Sequence, residues 1–261
     1  MSDVKTRTRI TDLREMMKSC STAAEGMVSD QTAGLPQPPL EKPGSSDRII
    51  PLTMDFENVV KNDSFLRLLN ARVSRRKYSN RVLTLDELTF LLWATQGVKT
   101  ITGGLNRATR RTVPSAGARH PLETYLLVYR VSGLAEGIYH YLAQKHKLEF
   151  LGPVENPSDR ITEACCGQTF PGTAAVDFIW TVTPYRTEWR YVAEAHKYAL
   201  LDAGHVCQNL YLACEAIGCG TCAVGAYDQK SMDRLLGLDS RPSCENQNEF
   251  AVYAAPVGKL D

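Results

Sequence analysis

Four short runs of residues combine side chains and backbone able to do chemistry. Arg72-Val73-Ser74-Arg75-Arg76-Lys77-Tyr78 sets four cations and a hydroxyl within seven residues. A phosphate monoester is held by several N–H donors, a hydroxyl and positive charge in one place. In an extended segment Arg72, Ser74 and Arg76 share one side, because side chains alternate. A solvated basic loop is the plainer reading of the same residues.

The second run carries Pro114-Ser115-Ala116-Gly117-Ala118 between the basic pairs Arg110-Arg111 and Arg119-His120. Its small residues let the backbone approach a flat ligand edge, where N–H and C=O groups can bond ring heteroatoms. An ordinary loop entering a strand has a similar composition. The third, Gly218-Cys219-Gly220-Thr221-Cys222-Ala223-Val224-Gly225-Ala226-Tyr227, suits a backbone lying against an aromatic ring system. Cys219-x-x-Cys222 within it also invites a redox or zinc reading. No second C-x-x-C appears, and Cys207 and Cys214 stand seven apart on a helix, so buried thiols are the default and no metal site is expected. The fourth is Lys197-Tyr198, two groups that can move protons when burial shifts them, or that simply snorkel at a helix surface.

These runs need a frame. Thr84-Leu85-Asp86-Glu87 reads as a capping box opening a helix over Leu88, Leu91, Leu92 and Thr95 that Gly97 ends. Strands are expected at 122–130, 137–142, 147–151, 174–183, 221–224 and 249–257, the second and third forming a hairpin around Gln144-Lys145. Residues 188–217 read as one long helix with the stripe Val206, Leu210, Ala213 and Ile217, ended by Gly218. Gly204 inside it hints at close packing. Asp228 caps a helix running to Leu236. Helices and strands intermingle without a βαβ repeat, which implies an α+β domain: a mixed, largely antiparallel sheet covered by helices. Residues 1–52, with four prolines between 34 and 44, read as an extended arm led by a short helix near 10–18, ahead of a domain at 53–261.

Composition narrows the class. The chain has 261 residues, 43% of them hydrophobic, and a formal net charge of +1, so bulk attraction to nucleic acid or anionic membrane is not expected. The charged first twenty residues lack the apolar stretch of a signal peptide, and the eight cysteines need no disulfides in a chain of this length. A cytoplasmic location follows as an expectation.

Taken in order, the motifs at 113–118 leading into Pro121-Leu122-Glu123, at 201–212 and at 218–227 resemble the nitroreductase superfamily over about residues 65–260. They look most like its SagB-type, azoline-dehydrogenase branch. The resemblance implies a domain-swapped homodimer with FMN at the subunit interface. Arg72 and Ser74 would hold the phosphate, and Arg76 would lie near the pyrimidine edge. Pro114, Ser115, Ala116 and Gly117 would reach the ring from the other subunit. Gly225 and Ala226 match the turn whose N–H faces flavin N5, and Lys259 is a further phosphate candidate. Lys197-Tyr198 matches a proton-handling pair of azoline dehydrogenases. Gly225 stands where nitroaromatic-reducing members carry Glu, and Ala118 where they carry Asn. The expected function is hydride transfer through FMN, from NAD(P)H to a small electrophilic acceptor. A SagB-type oxidation of thiazolines or oxazolines in a modified peptide and a non-catalytic flavin-binding dimer are the alternatives.

Overall fold

A computed structural model describes residues 4–15, 17–19, 25–239 and 248–261. In chain order the elements are α1 (Val4–Glu15), β1 (Ile49–Pro51), α2 (Phe65–Ala71), α3 (Leu85–Gln96), β2 (Val98–Thr102), β3 (Ala108–Arg111), β4 (Leu122–Val128), β5 (Gly137–Leu142), β6 (Lys147–Gly152), α4 (Pro157–Ala164), β7 (Val176–Val182), α5 (Tyr185–Tyr191), α6 (Ala195–Ile217), β8 (Cys219–Thr221), α7 (Gln229–Leu235) and β9 (Phe250–Lys259).

One sheet organises the chain, in the order β1-β6-β5-β4-β7-β9-β8. Its ladders are antiparallel. β4 and β7 are buried along their whole length. Their polar residues, Glu123, Thr124, Asp177 and Thr181, are buried as well. Successive side chains still go to opposite faces. Leu126, Val128, Phe178 and Trp180 join a core with Leu88, Leu91 and Leu92 of α3 and Val206, Leu210 and Ile217 of α6. Tyr125, Leu127 and Ile179 join a second core with Ile161 of α4 and Met232 and Leu235 of α7. The architecture is α+β, as expected.

The Thr84–Glu87 capping box forms, and Asp228 accepts the Ser231 N–H as an N-cap. The β5–β6 hairpin also forms where the sequence placed it. Other elements differ. The helix expected over 188–217 breaks at Val192, whose φ is +45°. Arg186 and Trp189 are buried on α5, and an unbroken helix would continue their stripe through positions 193, 196 and 200. Those positions are half-buried or exposed, and the break re-phases the stripe onto Ala195, Ala199 and Asp202. The strand expected at 221–224 is Cys219–Thr221, with Val224 making an isolated bridge to Ala254. The first helix starts earlier, at Val4, and is exposed throughout the part where burial is described, so no buried stripe fixes its phase. The β2–β3 hairpin, α2, α4 and β1 lay outside the expected elements.

Residues 42–46 dock on the sheet through buried charge. The Lys42 N–H donates to Glu123 at 2.7 Å, and the Ser45 and Ser46 N–H groups donate to Glu149 at 2.7 and 2.9 Å. His140 lies between the two carboxylates, 3.0 Å from Glu123 and 2.7 Å from Glu149. Glu123 also pairs with Arg186, and Lys42 with Glu249. No helix among the described residues is long and apolar enough to cross a membrane.

Candidate active site

The run 72–79 follows α2 and lies along the β8–β9 edge. The Arg75 N–H donates to the Thr221 carbonyl at 2.9 Å, and the Ser79 N–H to the Lys259 carbonyl at 2.9 Å. Two glycines permit this approach. Gly220 and Gly258 face each other in the β8–β9 ladder. A Cβ on Gly220 would stand 2.7 Å from the Arg75 side chain, and one on Gly258 2.7 Å from that of Tyr78. The segment therefore rests on bare backbone.

Tyr211 of α6 ties this segment to the turn expected to face a ring. Its hydroxyl accepts the Ala223 N–H at 2.8 Å and lies 3.0 Å from Ser74 Oγ. The Arg72 guanidinium stands 5.4 Å from the centre of the same ring. Arg72 and Ser74 thus do share a side. Arg76 lies over Phe170, 5.8 Å from its centre, and Gln168 nearby donates to the Ala226 carbonyl at 2.9 Å. Gly225 and Ala226 are exposed, and a Cβ on Gly225 would meet only Tyr253, at 3.8 Å. A half-buried cation at Arg72, an exposed one at Arg76, a hydroxyl and an open backbone turn are therefore neighbours. Lys259 is buried and paired with Glu87, so a carboxylate already balances its charge.

The other expected residues gather elsewhere. Ser115 Oγ accepts the His120 N–H at 2.8 Å, and the Ala116 N–H donates to Asp202 at 3.3 Å. Burial pushes the Asp202 carboxyl up, against the hydrogen bonds from Ser115 and Ala116. Burial and the nearby Arg111 drive the His120 pKa down to about 3, so its ring is neutral. Gly117 has φ +57°, and a Cβ there would stand 2.6 Å from the Tyr191 hydroxyl. The Tyr191 ring packs edge-on against Tyr198 at 5.0 Å. Lys197 lies 3.6 Å from Glu194 and donates to Ser19 Oγ at 2.7 Å. Pro114 is exposed, with Ser115, Ala116 and Gly117 half-buried. This group meets α6 near Asp202, whereas the Ser74 group meets it at Tyr211. At about 1.5 Å of rise per residue the two points are roughly 14 Å apart along the helix.

The cysteine run is thiol. Cys207, Cys214, Cys219 and Cys222 are free and buried. Burial raises the thiols of Cys207 and Cys219 to about 12 and that of Cys214 well above its ordinary value. No group of three or more His, Cys, Asp or Glu among the described residues is placed to hold a metal. Cys20 and Cys244 lie outside the described residues.

Sequence reasoning missed Tyr211, Phe170 and Asp202 as parts of the site. Asp202 had a signal: it sits on the buried stripe of α6, where an acid needs a partner. Tyr211 flanks that stripe with a hydroxyl to satisfy. Phe170 carried no local mark.

The chain matches the Nitroreductase family over residues 69–259. It is 32% identical over 205 residues, 78% of this chain and 93% of the other, to a protein of Methanocaldococcus jannaschii named as a nitroreductase, MJ1384. It is 29% identical over 166 residues to the trifolitoxin-processing protein TfxB of Rhizobium leguminosarum bv. trifolii, which covers 60% of this chain but 44% of that one. Among solved structures, a chain from Ralstonia eutropha named as a nitroreductase superposes with a TM-score of 0.64 at 23% identity, covering 87% of this chain and 95% of that one. A chain of the E. coli microcin synthetase McbBCD complex superposes with a TM-score of 0.58 at 16% identity, covering 100% and 95%. With the family match spanning most of the chain and the sheet, helices and glycine-rich edge folded together, the protein belongs to the nitroreductase family of oxidoreductases.

Proposed function

We propose that the protein is an FMN-dependent oxidoreductase acting as a homodimer. NAD(P)H would reduce it, and a small electrophile would be its acceptor. The observation that carries this is the placement of Arg72, Ser74 and Arg76 beside the exposed Gly225–Ala226 turn, joined through Tyr211. Among the described residues Arg72 and Arg76 contact rings and have no ion pair, so their charge suits a phosphate. An open glycine beside them suits a flat ring. FMN bound here supplies the capacity to take up and pass on a hydride. Arg72 and Ser74 hold its phosphate, Arg76 offers positive charge to its pyrimidine edge, and the backbone at Gly225 and Ala226 faces its ring. Lys259, through Glu87, braces the strand beneath.

The homodimer reading rests on two features. The 114–117 loop is remote from the Ser74 group within one chain, so a second copy is what would complete the site. Large apolar side chains are also exposed: Phe65, Leu66 and Leu69 on α2, and Leu200 and Leu201 on α6. Gly204, on the same helix as the last two, has nothing within 4 Å of where its Cβ would stand, leaving room for a close neighbour.

The placement of Tyr198 against Tyr191, which itself touches Gly117, favours azoline oxidation as the second reading. Lys197 and Tyr198 would then take a proton from the substrate carbon.

The test is the absorption spectrum of the purified protein with and without added FMN, alongside its mass in solution. A yellow dimer reduced by NAD(P)H under anaerobic conditions is expected. A protein that takes up no FMN overturns the proposal. One that binds FMN but is never reduced by NAD(P)H leaves the azoline reading.

A further inference from the structure

We propose that Arg119 and Arg190, beside Gly117, form an anchoring site for an oxyanion group carried by a substrate, a phosphate or a carboxylate. The inference rests on the flavin-enzyme reading above, which places Gly117 against the reaction space.

Arg119 is 5% exposed. Its Nε donates to the Gly117 carbonyl at 3.1 Å and its Nη2 to the Arg107 carbonyl at 3.0 Å. Its guanidinium lies 5.6 Å from the centre of the Trp189 ring. A buried cation is ordinarily paired with a carboxylate. Among the described residues no carboxylate pairs with Arg119, whose charged surroundings are Arg190 and Tyr191. The neighbour of Arg119 is instead a second cation. Burial and the charge of Arg190 both lower the Arg119 pKa, so the pair is mutually unfavourable as it stands.

Arg190 crosses the same glycine. Its Cδ lies 3.2 Å from where a Cβ on Gly117 would be, and its exposed guanidinium lies 5.4 Å from the centre of the Tyr191 ring. Two guanidinium groups flanking one glycine, with a neutral His120 next in the chain, make a local excess of positive charge. An oxyanion relieves that repulsion and accepts charge-assisted bonds from a fork whose geometry matches it. Both cations flank the very loop that would face the ring, so the anion belongs to a molecule reacting there. The same sign of charge also raises the local concentration of anionic substrates.

The experiment uses the FMN-loaded full-length protein and two matched pairs of substrates. The donors are reduced nicotinamide mononucleotide, which carries a phosphate, and reduced nicotinamide riboside, which does not. The acceptors are nitrobenzoate and nitrobenzene. In Arg190→Gln the ratio of kcat/KM for the charged over the uncharged member of at least one pair is expected to fall about tenfold. A fall in the donor pair assigns the site to a phosphate, and a fall in the acceptor pair to a carboxylate. In the wild type that ratio falls as salt is raised, and the variant is flatter. Arg119→Lys, which keeps the charge but loses the fork, is expected to lower the ratio with little change in FMN content. Ratios unchanged in both pairs for Arg190→Gln overturn the inference while leaving the flavin-enzyme reading intact. A wild-type protein that holds FMN and turns over neither donor overturns the reductase reading and this inference together.

Discussion

The Tyr211 hydroxyl accepts the Ala223 N–H at 2.8 Å, fastening the middle of α6 to the run that leads into Gly225. The same oxygen lies 3.0 Å from Ser74, so one phenol sets the spacing between the cationic segment and the turn. Tyr211→Phe keeps the ring beneath Arg72 and removes both bonds. Each is worth about 1 kcal/mol net. FMN affinity, followed by quenching of flavin fluorescence, is expected to weaken by roughly tenfold. An unchanged Kd would show that the phenol does not position the site.

Gly220 and Gly258 let the 75–78 segment lie on the β8–β9 edge. Gly220→Ala and Gly258→Ala each force backbone or side chains apart, at a cost of about 1–3 kcal/mol. Thermal unfolding is expected at a lower temperature in both, with weaker FMN binding. By contrast Gly225→Ala meets only Tyr253 at 3.8 Å and is expected to leave stability near that of the wild type.

His140 makes stability fall on the alkaline side. Burial opposes its charge, but hydrogen bonds to Glu123 and Glu149 outweigh this and push its pKa from 6.5 up to about 10. The folded state therefore binds the proton more tightly than the unfolded chain. Its stabilising contribution is full below 6.5 and lost as pH rises through about 10. Burial also opposes the charge of Glu123, yet Arg186 and His140 bring it from 4.5 down to about 2, so its contribution is full above 4.5 and lost as pH falls through about 2. From these two groups, unfolding midpoints should be highest between pH 4.5 and 6.5 and drop toward both extremes. His140→Ala leaves two buried carboxylates short of a partner and is expected to cost about 3–5 kcal/mol. A midpoint that climbs between pH 7 and 10 would contradict this assignment.

Asp177 adds to the same trend by another route. It is fully buried on β7, accepts the Tyr129 hydroxyl at 2.6 Å, and burial raises its carboxyl from 3.8 to about 8. A raised folded-state pKa stabilises below 3.8, and that contribution is lost as pH rises through about 8. Asp177→Asn keeps an acceptor for Tyr129 and carries no charge. The variant is expected to gain on the wild type progressively above pH 4, measured as the difference in unfolding free energy at pH 5 and pH 9. A constant difference would place the titration elsewhere.

The capping box offers a test of local helix stability. The Thr84 side chain accepts the Glu87 N–H, and Glu87 accepts the Thr84 N–H. Thr84→Ala is expected to cost about 1 kcal/mol in denaturant unfolding. Glu87→Gln should cost more, because Glu87 also neutralises the buried Lys259.

Local rules carried much of this protein. The sequence alone determined the α+β class, the α3 capping box, the β5–β6 hairpin, the Asp228 cap and the stripe of α6, since each follows from neighbours a few residues apart. The likeness of three ordered motifs to one family was also legible there. Only the tertiary structure decided that α5 and α6 are separate, because re-phasing a buried stripe depends on what each helix packs against. It alone brought Ser74, Tyr211 and Ala223 together, residues far apart in the chain and joined by a hydroxyl that no periodicity announces. It also set the loop that carries Gly117 against α6 near Asp202, away from Tyr211 where Ser74 meets the helix. The spacing of residues along a chain fixes which face they share, but which faces meet is settled by packing.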